Sequence, residues 1–207
     1  MHRALGLVIE IVPQYVEPSH AATSSQPCAV RPDLDHWLDR PAVRISHRRE
    51  ADVEPAVLWA AAQAVRTSET RRLGRLVRLR IPGLPADIAY DEMFRAPPFT
   101  VLYEDESALL AGIVGRIWTV RRDYPTLAGP EDFRRWSSRG TVRVLFANWA
   151  EPVSAGTSAL LSETRVSAGD RLAKVGLAAV RPLIVASQQL IGNEGLDRAV
   201  ASVKPGR

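Results

Sequence analysis

Glu163 and Arg165 stand two apart in Ser162-Glu163-Thr164-Arg165-Val166. On a strand that spacing puts both side chains on one face, so the carboxylate and the guanidinium are presented together. The other face carries Leu160, Ser162, Thr164 and Val166. Two arrangements are open. With the more apolar face inward, Glu163 and Arg165 lie on the solvent side and pair across strands with Arg143. With a bulge at Gly156 or Gly169, the pair turns inward and becomes a charged anchor for a carboxylate, phenol or ketone. Arg116, beside Gly115 and followed by Trp118, is a third polar anchor whose direction depends on a bulge in the same way. Tyr103 alternates with Phe99 and Val101, so its hydroxyl is expected on the same side as two apolar neighbours. There it is either core, or a donor to a ligand or to an acid–base step.

Other chemistries find less support. His2, His20, His36 and His47 all fall in the first quarter without metal-ligand spacing. His47 sits on the apolar side of its strand as a strand-end residue or a ligand contact. Cys28 is the single cysteine, which excludes an internal disulfide framework and a cysteine-clustered zinc site. There is no Gly-x-Ser-x-Gly elbow and no phosphate loop. No catalytic residue, metal or cofactor is therefore assigned.

The net charge is +4 and the pI about 9.7. Basic residues are densest from Arg66 to Arg80, with Arg71, Arg72, Arg75 and Arg78 between. Such a run would suit phosphates through counterion release. Glu69 interrupts it, however, and no aromatic is interleaved for base stacking. A solvated arginine face is the favoured reading, nucleic acid is disfavoured, and a polyanion-binding module is kept as an alternative.

The elements that must position these residues follow from periodicity. Val43, Ile45 and His47 alternate with Arg44, Ser46 and Arg48, a half-buried strand. Pro55 opens an alanine-rich helix over 56–65, and Ser68 caps a second short helical piece to Leu73. Strands are then expected over 75–81, 99–104, 108–120 (one bent strand or two), 141–149 and 157–166. Val142, Val144 and Phe146 share a face, and Ala155-Gly156 forms a turn. From Asp170 an amphipathic helix runs through Leu172, Val175, Ala179, Leu183, Ala186 and Leu190. Pro182 is expected to kink or split it; Gly192 and Gly195 offer an end before a last turn at 196–203.

At 207 residues with 46% hydrophobic and 24% charged, the chain can bury a full core. No apolar run reaches the ~20 residues of a membrane span. Residues 1–12 resemble the start of a signal peptide but carry Glu10 in the apolar part, and 16–32 have linker composition. The expected organisation is a flexible extension over 1–36 and a domain over 37–203, cytoplasmic, with secretion as the alternative.

A single antiparallel sheet with one apolar face must be covered, and only the last helix is long enough. The chain thus resembles the START/SRPBCC superfamily, the helix-grip domains that include the birch-pollen allergen (Bet v 1-like) fold. The resemblance runs from about Trp37 to Ala201. It rests on element order, on Val53–Leu58 with Trp59, on Ala111-Gly112 through Gly115-Arg116 and Trp118, and on Ser162–Val166 followed by Asp170. It is nearest to bacterial SRPBCC proteins of unassigned function. Where relatives often carry an aromatic pair and an arginine pair in the last helix, this chain has Gly176-Leu177 and Gln188-Gln189.

The resemblance implies an α+β helix-grip fold: a curved antiparallel sheet of six or seven strands around a long C-terminal helix, with two short helices after the first strand. It also implies a cavity that binds an apolar, lipid-like or polycyclic molecule. Phe99, Val101, Tyr103, Ile113, Val142, Val144 and Phe146 would form the sheet side, Ser162 and Thr164 the hydroxyls, and Leu183 and Ser187 the helix side. Arg116, Glu163 and Arg165 are the candidate polar anchors. The alternative is an enzyme of the polyketide cyclase or aromatase type. A monomer or weak dimer is expected.

Overall fold

The computed structural model describes residues 31–70, 75, 85, 87–119 and 124–204, with side chains of 183 and 185–193 outside the described set. Helix α1 (Leu34–Leu38) is capped by Asp33, whose carboxylate accepts from the Asp35 and His36 amides. Strand β1 (Val43–Ala51) leads to α2 (Pro55–Ala64), with proline at the first turn as anticipated. A 3₁₀ turn (Thr67–Glu69) stands where the second helical piece was expected to begin. After it come α3 (Tyr90–Arg95), β2 (Thr100–Glu104), β3 (Ala108–Gly115), α4 (Pro130–Arg135), β4 (Val142–Ser154), β5 (Thr157–Ala168) and α5 (Arg171–Val203).

The strands form one curved antiparallel sheet in the order β1-β5-β4-β3-β2, with a long C-terminal helix against it. This is a helix-grip arrangement of the α+β class. Five strands are present among the described residues, rather than six or seven. The segment 108–120 contributes one strand, ending at Gly115, and the expected strand over 75–81 lies outside the described residues except for Arg75. The β4–β5 hairpin turns at Ala155-Gly156 as expected, and Gly156 takes the positive φ of 73° that such a two-residue turn favours.

The expectation of one apolar face is corrected. Every residue of β3 is buried, because both sides of the sheet are covered. On the inner face α2, α3 and α5 pack over Leu109, Ala111, Ile113, Val142, Val144, Leu160 and Val166. On the outer face α1 and α4 pack over Leu102, Leu110, Val114, Leu145, Ala147 and Trp149. A strand buried on both sides reads as a continuous apolar run, and Ala-Leu-Leu-Ala-Gly-Ile-Val-Gly is such a run. Leu34 and Leu38 are core residues, so packed structure begins ahead of the expected boundary at 36/37.

Helix α5 is neither split at Pro182 nor ended at Gly192 or Gly195; it continues for 33 residues to Val203. Proline removes one backbone donor. The carbonyl left over belongs to Ala178, which like Pro182 is on the exposed side of the helix, where an unpaired carbonyl is tolerated. Asp170 caps the helix by accepting from the Ala173 amide at 2.7 Å, and its second oxygen accepts from the Gly140 amide at 2.7 Å. One carboxylate thus fixes both the helix start and the loop before β4.

Gly112 determines how closely α4 approaches the sheet. A Cβ there would stand 2.6 Å from the Phe133 ring and 3.0 Å from Leu102, and Phe133 is fully buried. Gly112→Ala is expected to destabilise the domain by about 1–3 kcal/mol through overpacking, measured as a lowered urea midpoint with unchanged slope.

Candidate functional site

The inner face holds a cleft where α2, α3 and the C-terminal turns of α5 meet over the sheet. Its walls are Trp59 of α2 and Val65 just after that helix, Tyr90 and Phe94 of α3, Leu109 of β3, Leu160 of β5 and Leu196 of α5, with Asn148 of β4 and Gln63 of α2 as polar members. Alternation puts them there. Asn148 follows Val142, Val144 and Phe146 at intervals of two, and the register sets it opposite Leu109 and Ser162. Asp91 at the rim is held by Arg95, which also pairs with Glu104. The cavity volume is about 30 Å³, room for two or three waters, since one needs roughly 10–15 Å³ by the same measure. An aromatic cluster closes the neighbouring stretch: Phe94 lies 5.2 Å from Phe99 and 5.5 Å from Phe146 between ring centroids. Burial pushes the Tyr90 phenol above the ordinary tyrosine range, so the group is neutral at all physiological pH.

Most of the sheet residues expected on the inner face are there. Phe99, Ile113, Val142 and Val144 are buried, Val101 and Phe146 are half-buried against them, and Thr164 and Ser162 stand opposite Phe146 and Asn148 on the same side. They form wall and core beside the cleft rather than its lining. Leu183 and Ser187 belong to α5, but their side chains lie outside the described residues.

Tyr103 is a correction. A bulge shifts the β2–β3 register between Val101 and Tyr103, and a shift of one residue reverses a side chain's face. Tyr103 is accordingly 42% exposed, its hydroxyl donating to Asp105 at 2.6 Å. Arg116 is exposed beyond the end of β3, near Gly140, and does not reach the cleft.

Glu163 and Arg165 are also corrected, in an unexpected direction. They occupy the outer face, opposite Ala147 and Leu145, yet are only 2% and 4% exposed because α1 covers them. Arg165 donates from Nε to Glu163 at 2.6 Å, and from a terminal nitrogen to the Leu38 carbonyl at 2.8 Å and to Asp35. Arg44 of β1 pairs with Glu163 at 2.9 Å. Such burial is tolerated only where the ions are paired and their remaining hydrogen-bonding capacity is used. The network anchors α1 to the outer face, away from the cleft. Arg143 takes no part in it: it donates to the Arg134 carbonyl and lies over Phe133. Beside it, a polar groove of about 430 Å³ between α1 and α4 has its acids and bases largely matched, as in Glu131 with Arg134.

Sequence reasoning missed Trp59, Tyr90, Asn148 and Leu160 as cleft residues. For Asn148 and Leu160 the signal was the unfinished period-two series. For Tyr90 there was none, because its place depends on how α3 docks. Among the described residues there is no cluster of three or more potential metal ligands. Cys28, His2 and His20 lie outside them.

No family model matches the chain, and neither does any curated protein. Solved structures do overlap it. A hypothetical protein of Helicobacter pylori is 10% identical at a TM-score of 0.40, covering 85% of this chain and 96% of its own. The Zhui aromatase/cyclase of Streptomyces sp. R1128 is 10% identical at 0.33, with 78% and 96% covered. Ara h 8.0201 is 11% identical at 0.22, with 75% and 98% covered. At these scores the fold rests on the chain's own element order and register.

Two outcomes follow from the ionisable groups of the outer-face network and of the cleft. Glu163→Gln is expected to cost about 3–5 kcal/mol in chemical denaturation, because it leaves Arg165 buried with less compensation; Arg44→Ala, at the half-exposed end, is expected to cost about 0–1 kcal/mol. Tyr90 has a pKa higher folded than unfolded, so its contribution is complete below pH 10 and declines as pH rises above that value. Tyr90→Phe is expected to flatten that alkaline fall in thermal midpoint.

Proposed function

We propose that the domain binds an apolar small molecule, lipid-like or polycyclic, between the inner face of the sheet and helices α2, α3 and α5, without a cofactor and as a monomer or weak dimer. The observation that carries this reading is the cleft itself. Helices α2, α3 and α5 and the sheet converge there on a mainly apolar wall whose polar groups are the Asn148 and Gln63 amides, the Tyr90 phenol and, at the rim, the Asp91 carboxylate. That composition, greasy walls with a few placed polar atoms, is what small-molecule sites share.

In the present form the cleft accepts water, so a larger guest requires α5 to separate from α2. The last turns of α5 are also tied to β1 by the ion pair Arg49–Asp197 and to the 3₁₀ turn by Arg198–Glu69, both substantially exposed. Exposed pairs of this kind contribute roughly 0–1 kcal/mol, so the apolar packing of Leu196, Ala199 and Val200 in one core with Leu58 and Trp59 is what opening must overcome. Against the cyclase alternative, the candidate acid–base donor Tyr103 and the candidate anchor Arg116 lie away from the cleft. For the polyanion alternative, Arg66 is committed to Asp87 at 2.8 Å, and Arg71, Arg72, Arg78 and Arg80 lie outside the described residues.

Titration with the apolar fluorophore 8-anilinonaphthalene-1-sulfonate is expected to saturate at one site per chain. Leu160→Trp, which fills the cleft, is expected to weaken it about tenfold, while Arg40→Ala on the outer surface leaves it unchanged. Absence of saturable binding, together with no co-purifying small molecule in native mass spectrometry, would overturn the proposal.

A further inference from the structure

The first three turns of α5 present an outward side unlike that of an ordinary surface helix. Ala173 and Leu177 are buried against the domain. On the opposite side two stripes run in parallel at three- and four-residue intervals. Arg171, Lys174, Ala178 and Arg181 make one; Leu172, Val175, Ala179 and Pro182 make the other. All eight are exposed, Leu172 by 56% and Val175 by 69%. A helix packed by one face normally turns polar residues outward; here half of the outward side is aliphatic over about 15 Å.

The charge around it has one sign. No acidic residue occurs between Asp170 and Glu194, and Asp170 spends both oxygens on backbone amides. Arg116 and Leu172 both approach Gly140, so Arg116 and Arg139 border the same end of the helix. Among the described residues none of Arg116, Arg139, Arg171, Lys174 and Arg181 stands in an ion pair; the charged groups that do are elsewhere.

We propose that this side of α5 is a docking surface for an anionic lipid bilayer. Five cations beside an aliphatic stripe match the chemistry of a membrane interface, where acyl chains accept the apolar residues and acidic headgroups accept the guanidinium and ammonium groups. A nucleic acid would use the cations and leave Leu172 and Val175 without a role. A second copy of the chain would bring like charge against like charge. The inference does not depend on the cleft: it concerns the opposite side of the helix.

The test is co-sedimentation of the full chain with vesicles of phosphatidylcholine alone and with about 30% phosphatidylserine. Binding is expected only to the acidic vesicles, weakening as salt is raised. Lys174→Glu with Arg181→Glu, and separately Val175→Asp, are each expected to weaken partitioning about tenfold or more, while Arg40→Glu on the outer surface does not. The positions altered are exposed, and unchanged melting curves verify folding. Absence of binding to acidic vesicles overturns the proposal, as does equal binding to both compositions. So does retention on duplex DNA that the double variant abolishes and Val175→Asp leaves intact, which would assign the surface to nucleic acid.

Discussion

The register of β5 against β4 aligns Thr164 with Phe146 and Glu163 with Ala147, and the rest of the molecule is arranged around that alignment. Successive strand residues face opposite sides. The alignment therefore sends Ser162 and Thr164 toward α5 while Glu163 and Arg165 go to the outer face. A slip of one residue would carry two ions into the apolar inner core, where each uncompensated charge costs several kcal/mol. The ions in turn hold their own cover. Arg165 binds the Leu38 carbonyl and Asp35, so α1 is tied down over the charges that need shielding from partial solvation.

A sheet covered on both sides leaves its central strands without a solvent face, and this affects where a site can form. Cavities are not expected along the middle of β3 and β4 on the outer face, where Phe133 lies directly on Gly112. The open space is at the inner seam between α2, α3 and the last turns of α5. There the wall is provided by elements distant in sequence, whose apolar residues Trp59, Phe94 and Leu196 meet in one core cluster.

The long helix consequently has three roles along its length. Its first turns, capped by Asp170, pack Ala173 and Leu177 inward and expose a cationic and an aliphatic stripe outward. Its last turns pack Leu196, Ala199 and Val200 into the core and contribute to the cleft. Trp118 lies against Gly176, where a Cβ would stand 2.5 Å from its ring, so glycine is what lets the helix and Trp118 approach this closely.

Local pattern was enough for what depends on neighbours in the chain. The alternation in β1, β4 and β5, the proline-led start of α2, the Ala155-Gly156 turn, the Asp170 cap and the succession of strands before a final helix are all written in short-range periodicity and turn chemistry. What needed the folded chain was whatever depends on distant partners. The bulge that turns Tyr103 outward has no side-chain signature; it follows from how β2 meets β3. Glu163 and Arg165 carry the pattern of a solvated pair, and only the docking of α1, a five-residue helix too short to predict from periodicity, buries them. The cleft residues Trp59 and Tyr90 come together because helices from separate parts of the chain converge. The sequence by itself thus determined which residues alternate; tertiary packing alone decided what each face meets, because burial is a property of the partner as much as of the strand.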